Sequence, residues 1–111
     1  MKDYKKLLKE WETYSKKLMK ETPETMKAFS GFHHASVAEG KLDVKTKELI
    51  ALGTAITARC EWCIAIHVKK CLDAKASKEE ILEASWVAVL MGGGPALMYF
   101  QGVLKALEDF S

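Results

Sequence analysis

Residues 84–104, ASWVAVLMGGGPALMYFQGVL, form a run of 21 residues without a charged side chain. By length alone this run could cross a bilayer, because a membrane-spanning helix needs about 20 apolar residues. Its middle, however, holds Gly92–Gly94 followed by Pro95. Glycine lowers helix propensity, and proline stops a helix that precedes it. The run therefore predicts two buried helices joined by a tight break, over about 78–91 and 95–110, and no membrane span.

The first 20 residues show the helical period most clearly. Apolar residues recur there at spacings of three and four, while the lysines lie off that stripe. Residues 1–20 are therefore predicted to form an amphipathic N-terminal helix that packs on the core or on a neighbouring subunit. A helix lying on a membrane surface is the alternative. The stripe consists of Tyr4, Leu7, Leu8, Trp11, Tyr14 and Leu18.

Residues that start or stop helices divide the rest of the chain. A second helix is predicted over about 23–38, Asp43 caps a third, and a fourth spans about 60–74. The Ser-Lys-Glu-Glu sequence at 77–80 is a capping box for the helix that follows. No strand pattern lasts long enough to count. The sequence predicts one all-α domain over 1–111, a small bundle of about six helices.

Composition places the chain among small globular domains. Of 111 residues, 49% are hydrophobic and 29% charged, and the net charge is +2. Seven lysines lie in residues 1–20, but the chain has one arginine and no aromatic interleaving, so we expect no nucleic-acid partner. A domain this small is marginally stable alone, which favours a homo-oligomer. A polar N-terminus and three cysteines, an odd number, predict a cytoplasmic protein without a disulfide framework.

The strongest functional signal surrounds two cysteines. A helix that begins at Cys60 places Cys63 in its first turn, where free N–H groups and the helix dipole favour a thiolate. His67 lies four residues after Cys63 on the same face, and Cys60 is close enough for a disulfide across one turn. A carboxylate such as Glu48 could orient the histidine. The pattern predicts a nucleophile, a resolving thiol and a base in one cluster.

Each of these residues also has a plainer interpretation. A CxxC pair occurs in metal sites, His67 could be a core histidine, and Glu48 could belong to a solvated helix start with Lys45 and Lys47. Cys71 extends the cysteine and histidine stripe and suggests zinc. One straight helix cannot wrap four ligands around an ion, so we expect no metal site and a buried, apolar Cys71.

Other conspicuous residues carry weaker signals. His33 and His34 are adjacent in a helix and cannot face the same way, so one could reach the site, although surface or packing roles are the more ordinary expectation. Gly92–Gly94 lack a following Gly-Lys-Ser/Thr and do not form a phosphate loop. A group of apolar residues before them is expected in the core or in a subunit contact: Trp86, Val87, Val89, Leu90 and Met91.

The spacing of Glu48, eleven residues, Cys60-x-x-Cys63, three residues and His67 resembles the alkylhydroperoxidase D branch of the carboxymuconolactone decarboxylase-like family. The similarity extends from about Phe32 to the C-terminal helix. It implies a helical bundle assembled as a homotrimer or homohexamer, with the site near a subunit boundary. It also implies a thiol-dependent peroxidase or thiol–disulfide oxidoreductase that reduces hydroperoxides.

The resemblance further implies individual roles. Cys63 would be the peroxidatic thiol and Cys60 the resolving thiol, while His67 and Glu48 would relay the proton. The reductant would be a dithiol such as a lipoyl group, and no cofactor is expected. This chain departs from the branch in two ways, since Trp62 stands where a further relay histidine is common and the chain is short.

Two alternatives to the peroxidase remain open. A lactone decarboxylase shares the family fold but has no need of a redox pair. A non-catalytic redox or zinc-binding module that acts through a partner protein would use the same cysteines without turnover.

Overall fold

The computed structural model describes residues 1–111 as five α-helices without a strand. These helices are α1 (Tyr4–Glu21), α2 (Pro23–Val37), α3 (Val44–Thr57), α4 (Glu61–Asp73) and α5 (Lys78–Asp109). The predicted all-α class is confirmed. The count is five and not six because the two helices expected on either side of the glycines form one kinked helix.

The kink in α5 lies at Gly93, whose backbone is non-helical at φ 68° and ψ −149°. Glycine adopts this positive φ without a Cβ clash. By length and composition α5 could cross a membrane, although core helices pass the same test, and 28% of its most apolar window is buried. The kink divides it into segments over 78–92 and 94–109, about 22 and 24 Å long. Each is shorter than a hydrocarbon core of about 30 Å, which favours a helix of the protein core.

Side-chain caps begin α1, α3 and α5, and the sequence predicts the caps of α3 and α5. The Asp3 carboxylate accepts from the N–H groups of the first turn of α1, and Asp43 accepts from Thr46 N at 2.8 Å. Ser77 and Glu80 form the predicted capping box. Each cap satisfies N–H groups that the helix itself leaves without an acceptor, which typically contributes about 1 kcal/mol.

Two helices end in turns that the sequence analysis does not predict. Arg59 follows α3 with φ 58°, and Lys75 follows α4 with φ 69°. In both turns the N–H groups of the positive-φ residue and of the residue after it donate to carbonyls at the end of the helix, the arrangement known as the Schellman motif. Because the turn at Arg59 is so short, α4 begins almost where α3 ends and the two helices pack side by side.

The core lies between α3, α4 and α5, and α1 closes one side of it. The largest fully buried side chains are Leu52, Ile56, Ile64, Ile81, Val68 and Val103. Tyr4 and Leu7 of α1 are buried, but Tyr14 and Leu18, further along the same stripe, are 58% and 45% exposed. The stripe therefore packs on the core over its first two turns only. α2 has no buried residue and packs mainly against α1.

The apolar residues before the glycines do not enter the core of this chain. Trp86, Val87, Leu90 and Met91 are 57–80% exposed, so the core interpretation is wrong for these four. Val89 is half-buried and packs against the core. The interpretation of this face as a subunit contact stays a prediction.

Candidate active site

The two cysteines of the CxxC pair are joined in a disulfide at the start of α4. Their Cα atoms lie 5.1 Å apart. Cys60 is the N-cap residue, and its sulfur accepts a hydrogen bond from Cys63 N at 3.1 Å. Cys63 is the third residue of the helix, where the positive end of the helix dipole stabilises a thiolate in the reduced protein. The predicted position of the pair in the first turn is thus observed.

The histidine and the glutamate of the pattern contact each other across α3 and α4. His67 Nδ1 lies 2.7 Å from Glu48 Oε1. Glu48 is only 3% exposed, which rules out the alternative that it belongs to a solvated helix start. Because a buried carboxylate needs a partner, this hydrogen bond also explains why the bundle tolerates Glu48 in its interior.

The same contact sets the chemistry of the imidazole. A carboxylate oxygen accepts from Nδ1–H, so the neutral ring keeps its proton on Nδ1 and presents Nε2 as the acceptor. No other hydrogen bond engages the His67 ring, and its side chain is 17% exposed. His67 is therefore oriented by Glu48 and available to a proton donor in the adjoining cavity.

That cavity has a volume of about 890 Å³ and is bounded by α1, α2 and one face of α4. Cys60, Cys63 and His67 all line it. The volume lies in the upper part of the range for small-molecule sites, which are mostly apolar with a few polar groups. The remaining walls are mainly apolar and aromatic: Trp11, Tyr14, Met19, Met26, Phe29 and Ile66.

His33 of α2 also lines this cavity, whereas His34 is exposed and its Nδ1 lies 3.0 Å from Ser30 O. We expected a surface or packing role for both histidines, and one of them, His33, also reaches the cavity. Its ring stacks on Phe29 with centroids 6.5 Å apart. Burial lowers the pKa of His33, and the charges of Lys70 and His67 lower it further. An imidazole whose pKa is lowered thus shares the cavity with the disulfide.

Trp62 holds the rim of the cavity at the position where a relay histidine would stand. Its Nε1 donates to Glu10 Oε1 of α1 at 3.1 Å, and Lys2 Nζ lies 5.6 Å from its ring centroid. Indole is a donor only and cannot accept a proton as imidazole does. At this position the residue links α4 to α1 and offers no lone pair that could accept a proton.

Cys71 is fully buried on α4, as expected. Burial raises the pKa of its thiol to about 12, and the nearby Glu48 carboxylate contributes to the rise. The thiol therefore stays protonated and unreactive near neutral pH. No group of three or more histidine, cysteine, aspartate or glutamate side chains is arranged to hold a metal ion.

The sequence pattern missed the three charged residues that line the cavity, Glu10, Lys16 and Lys70. The signal for Lys70 is present in the sequence. Lys70 lies seven residues after Cys63, two helical turns along the same face.

Comparison with known proteins agrees with this fold. The chain is similar to a carboxymuconolactone decarboxylase family protein of Legionella pneumophila, with 42% identity, a TM-score of 0.87 and coverage of 96% of this chain and 93% of that one. It is also similar to a family member of Thermotoga maritima described as a candidate for the antioxidative response, with 33% identity, a TM-score of 0.85 and coverage of 95% and 89%.

A sequence relative gives the same result. Uncharacterized protein 4 in the cox locus of Paracoccus denitrificans is 39% identical over 82 residues, 74% of each chain. The model of the carboxymuconolactone decarboxylase family matches residues 23–106, which is most of the chain. The protein therefore belongs to the carboxymuconolactone decarboxylase family.

Proposed function

We propose that this protein is a thiol-dependent peroxidase that reduces organic hydroperoxides through a dithiol–disulfide cycle. The observation that carries the proposal is the Cys60–Cys63 disulfide at a helix start, in one cavity with a histidine oriented by a buried glutamate. The assignment to the alkylhydroperoxidase D branch rests on the same four residues. The antioxidative description of the Thermotoga relative supports the same class of activity.

In the first step the Cys63 thiolate attacks the terminal oxygen of the hydroperoxide. His67 accepts the thiol proton, and its hydrogen bond to Glu48 stabilises the imidazolium that forms. The O–O bond breaks, and the leaving alkoxide takes the proton back from His67. Thiol and hydroperoxide thus become a cysteine sulfenic acid and an alcohol.

In the second step Cys60 closes the disulfide. Its thiol attacks the sulfur of the sulfenic acid, and the hydroxyl of that group leaves as water with the thiol proton. A dithiol reductant of the lipoyl type, or another thiol donor, then reduces the disulfide by two exchange reactions and is itself oxidised to a disulfide. No cofactor enters the cycle. Because the cycle needs a reducing compartment, the proposal places the protein in the cytoplasm.

The proposal includes a homo-oligomer, a trimer or a hexamer. An apolar face on α5 and α3 is exposed in the single chain, and monomeric proteins rarely expose apolar patches of this kind. Burial of this face against further copies would also stabilise a small domain. The face contains Ile50, Trp86, Val87, Leu90, Met91 and Met98.

Cysteine variants test the cycle. Cys63→Ser is expected to abolish hydroperoxide consumption, because a hydroxyl at this position is a poor nucleophile. Cys60→Ser is expected to consume about one equivalent of cumene hydroperoxide and then stop, since the sulfenic acid has no partner thiol. Cys71→Ala is the control and should retain turnover. Continued turnover by Cys63→Ser would refute the proposal.

The family name provides the rival activity. A decarboxylase needs no redox pair, so carboxymuconolactone decarboxylation that survives in a Cys60→Ser, Cys63→Ser double variant would replace the peroxidase assignment. Tightly bound zinc with unreactive thiols in the purified protein would instead favour a non-catalytic module.

A further inference from the structure

We infer that the cavity beside the disulfide binds long-chain fatty-acid hydroperoxides, with the carboxylate at Lys70 and the acyl chain along the apolar wall. The inference rests on the proposed function, because it names the substrate class of the same site. It commits to a free fatty acid and not to a neutral lipid or a small peroxide.

The size and the lining of the cavity point to a long apolar ligand. Its volume of about 890 Å³ far exceeds the space that hydrogen peroxide needs. Two methionines and several aromatic rings form the wall, and methionine adapts its shape to flexible apolar ligands. Tyr14, Phe29 and Trp62 at the edge of the cavity are 48–58% exposed. A bound acyl chain would cover this apolar surface.

An unpaired positive charge marks where the head group would bind. Lys70 is half-buried, lines the cavity and takes part in none of the five ion pairs or the side-chain hydrogen bonds of the protein. Its neighbour Lys69, by contrast, is paired with Asp73 at 3.0 Å. A half-buried ammonium group without a partner favours an anionic ligand, since an ammonium–carboxylate hydrogen bond is among the stronger polar contacts.

Neither of the two carboxylates near the cavity forms an ion pair with Lys70. The acidic residue on the α1 side, Glu10, is engaged by Trp62 Nε1, and the buried Glu48 is engaged by His67. Lys16 of α1 adds a second ammonium group to the lining. His33 is neutral near pH 7 because burial lowers its pKa. The lining thus carries two ammonium groups, of Lys16 and Lys70, against the one carboxylate of Glu10, so its net charge is positive.

Helix geometry places the head-group site and the reactive sulfur on one face of α4. Lys70 follows Cys63 by seven residues, about 10 Å along the axis of α4, and His67 lies between them on the same face. A carboxylate at Lys70 thus leaves the acyl chain to extend past His67 toward Cys63, so a hydroperoxyl group within the chain lies on the same face as the reactive sulfur.

A binding experiment with an inert fatty acid tests the inference without any turnover. Oleate is added to the oxidised full-length protein below its micellar concentration, and binding is followed by tryptophan fluorescence, because Trp11 and Trp62 line the cavity. Lys70→Met, which keeps the apolar stem, is expected to weaken oleate binding about tenfold. The matched control Lys69→Met should bind oleate as tightly as the wild type does. Methyl oleate, which lacks the carboxylate, should bind the wild-type protein about as weakly as oleate binds the Lys70→Met variant.

The same binding constants separate this inference from the proposed function. Equal affinity for oleate and methyl oleate, or equal affinity of wild type and Lys70→Met for oleate, would overturn the inference even if cumene hydroperoxide is consumed. Absence of binding, as when a second copy of the chain fills the cavity, would overturn it too. Oleate binding that depends on Lys70 would sustain the assignment of the cavity even if every peroxide assay failed.

Enzyme kinetics provide an independent test of the contact between Lys70 and the carboxylate. With the 9-hydroperoxide of linoleic acid as substrate, Lys70→Met should raise KM about tenfold, while Lys69→Met should leave KM unchanged. An unchanged KM in Lys70→Met would contradict a carboxylate contact at this lysine.

Discussion

The contact between Gly102 and Tyr4 joins the two ends of the chain and provides a test of how α1 is held. Gly102 lies on α5 and is buried, and Tyr4 begins α1 and is 3% exposed. A Cβ atom at Gly102 would clash with Tyr4 Oη and would lie 3.0 Å from Cζ. Gly102→Ala is therefore expected to push the first turn of α1 away from α5.

The expected change in the free energy of unfolding of Gly102→Ala combines two opposing effects. Alanine in place of glycine inside a helix contributes about 1 kcal/mol of stability. Overpacking of a filled core costs about 1–3 kcal/mol. At Gly31 in α2 an added Cβ meets no atom within 4 Å, so Gly31→Ala has the first effect alone. The free energy of unfolding should thus be about 1–3 kcal/mol lower for Gly102→Ala than for Gly31→Ala.

Urea unfolding at one fixed protein concentration measures both variants, since assembly would make stability depend on concentration. Tyr4→Phe removes the clashing oxygen and leaves Cζ in a tight contact, so it should recover part of the loss in the Gly102→Ala background. Equal stability of Gly102→Ala and Gly31→Ala would refute the packing of α1 described here. Because α1 carries Trp11 and Tyr14 into the cavity wall, the same result would weaken the account of that wall.

Three further outcomes are expected. Lys75→Gly should raise the urea midpoint, because glycine removes a cost of about 1 kcal/mol at φ 69°; a lower midpoint would contradict the turn. Alkylation of the reduced native protein by iodoacetamide at pH 7, followed by mass spectrometry, should modify Cys60 and Cys63 and spare Cys71, whose thiol has a pKa of about 12. The hydrogen bond and charge of Lys105 and the Tyr4 N–H lower the pKa of Asp109 below its usual 3.8. The ionised Asp109 therefore contributes its full stabilisation above pH 3.8, and this stabilisation is lost as the pH falls through the folded-state pKa. The urea midpoint should thus fall less between pH 5 and about pH 2.5 in Asp109→Asn than in the wild type.

The sequence predicted the features that depend on local chemistry. The caps at Asp43 and Ser77 involve bonds between a side chain and a backbone group three residues away, so the sequence alone specifies them. The cluster of Cys60, Cys63 and His67 follows in the same way from spacing along one helix. Glu48 lies on another helix, so its spacing does not place it beside His67; it was proposed as the carboxylate that orients the histidine, and the family pattern includes it.

Most of the features that the sequence left unspecified depend on packing between helices. The turns at Arg59 and Lys75 are the exception, because local backbone bonds hold both residues at positive φ but neither is the glycine that usually marks such a turn. Whether the apolar stripe of α1 is buried along its whole length depends on how much of the core lies beneath it, which local patterns do not encode. His33 reaches the cavity only because α2 packs across α1.

A thiol count tests the central claim most directly. The fully reduced protein has three thiols per chain and is treated with one equivalent of cumene hydroperoxide in the presence of a metal chelator. A dithiol peroxidase predicts a fall from three thiols to one, with Cys71 left free and Cys60 and Cys63 joined. A count that stays at three would contradict the peroxidase assignment.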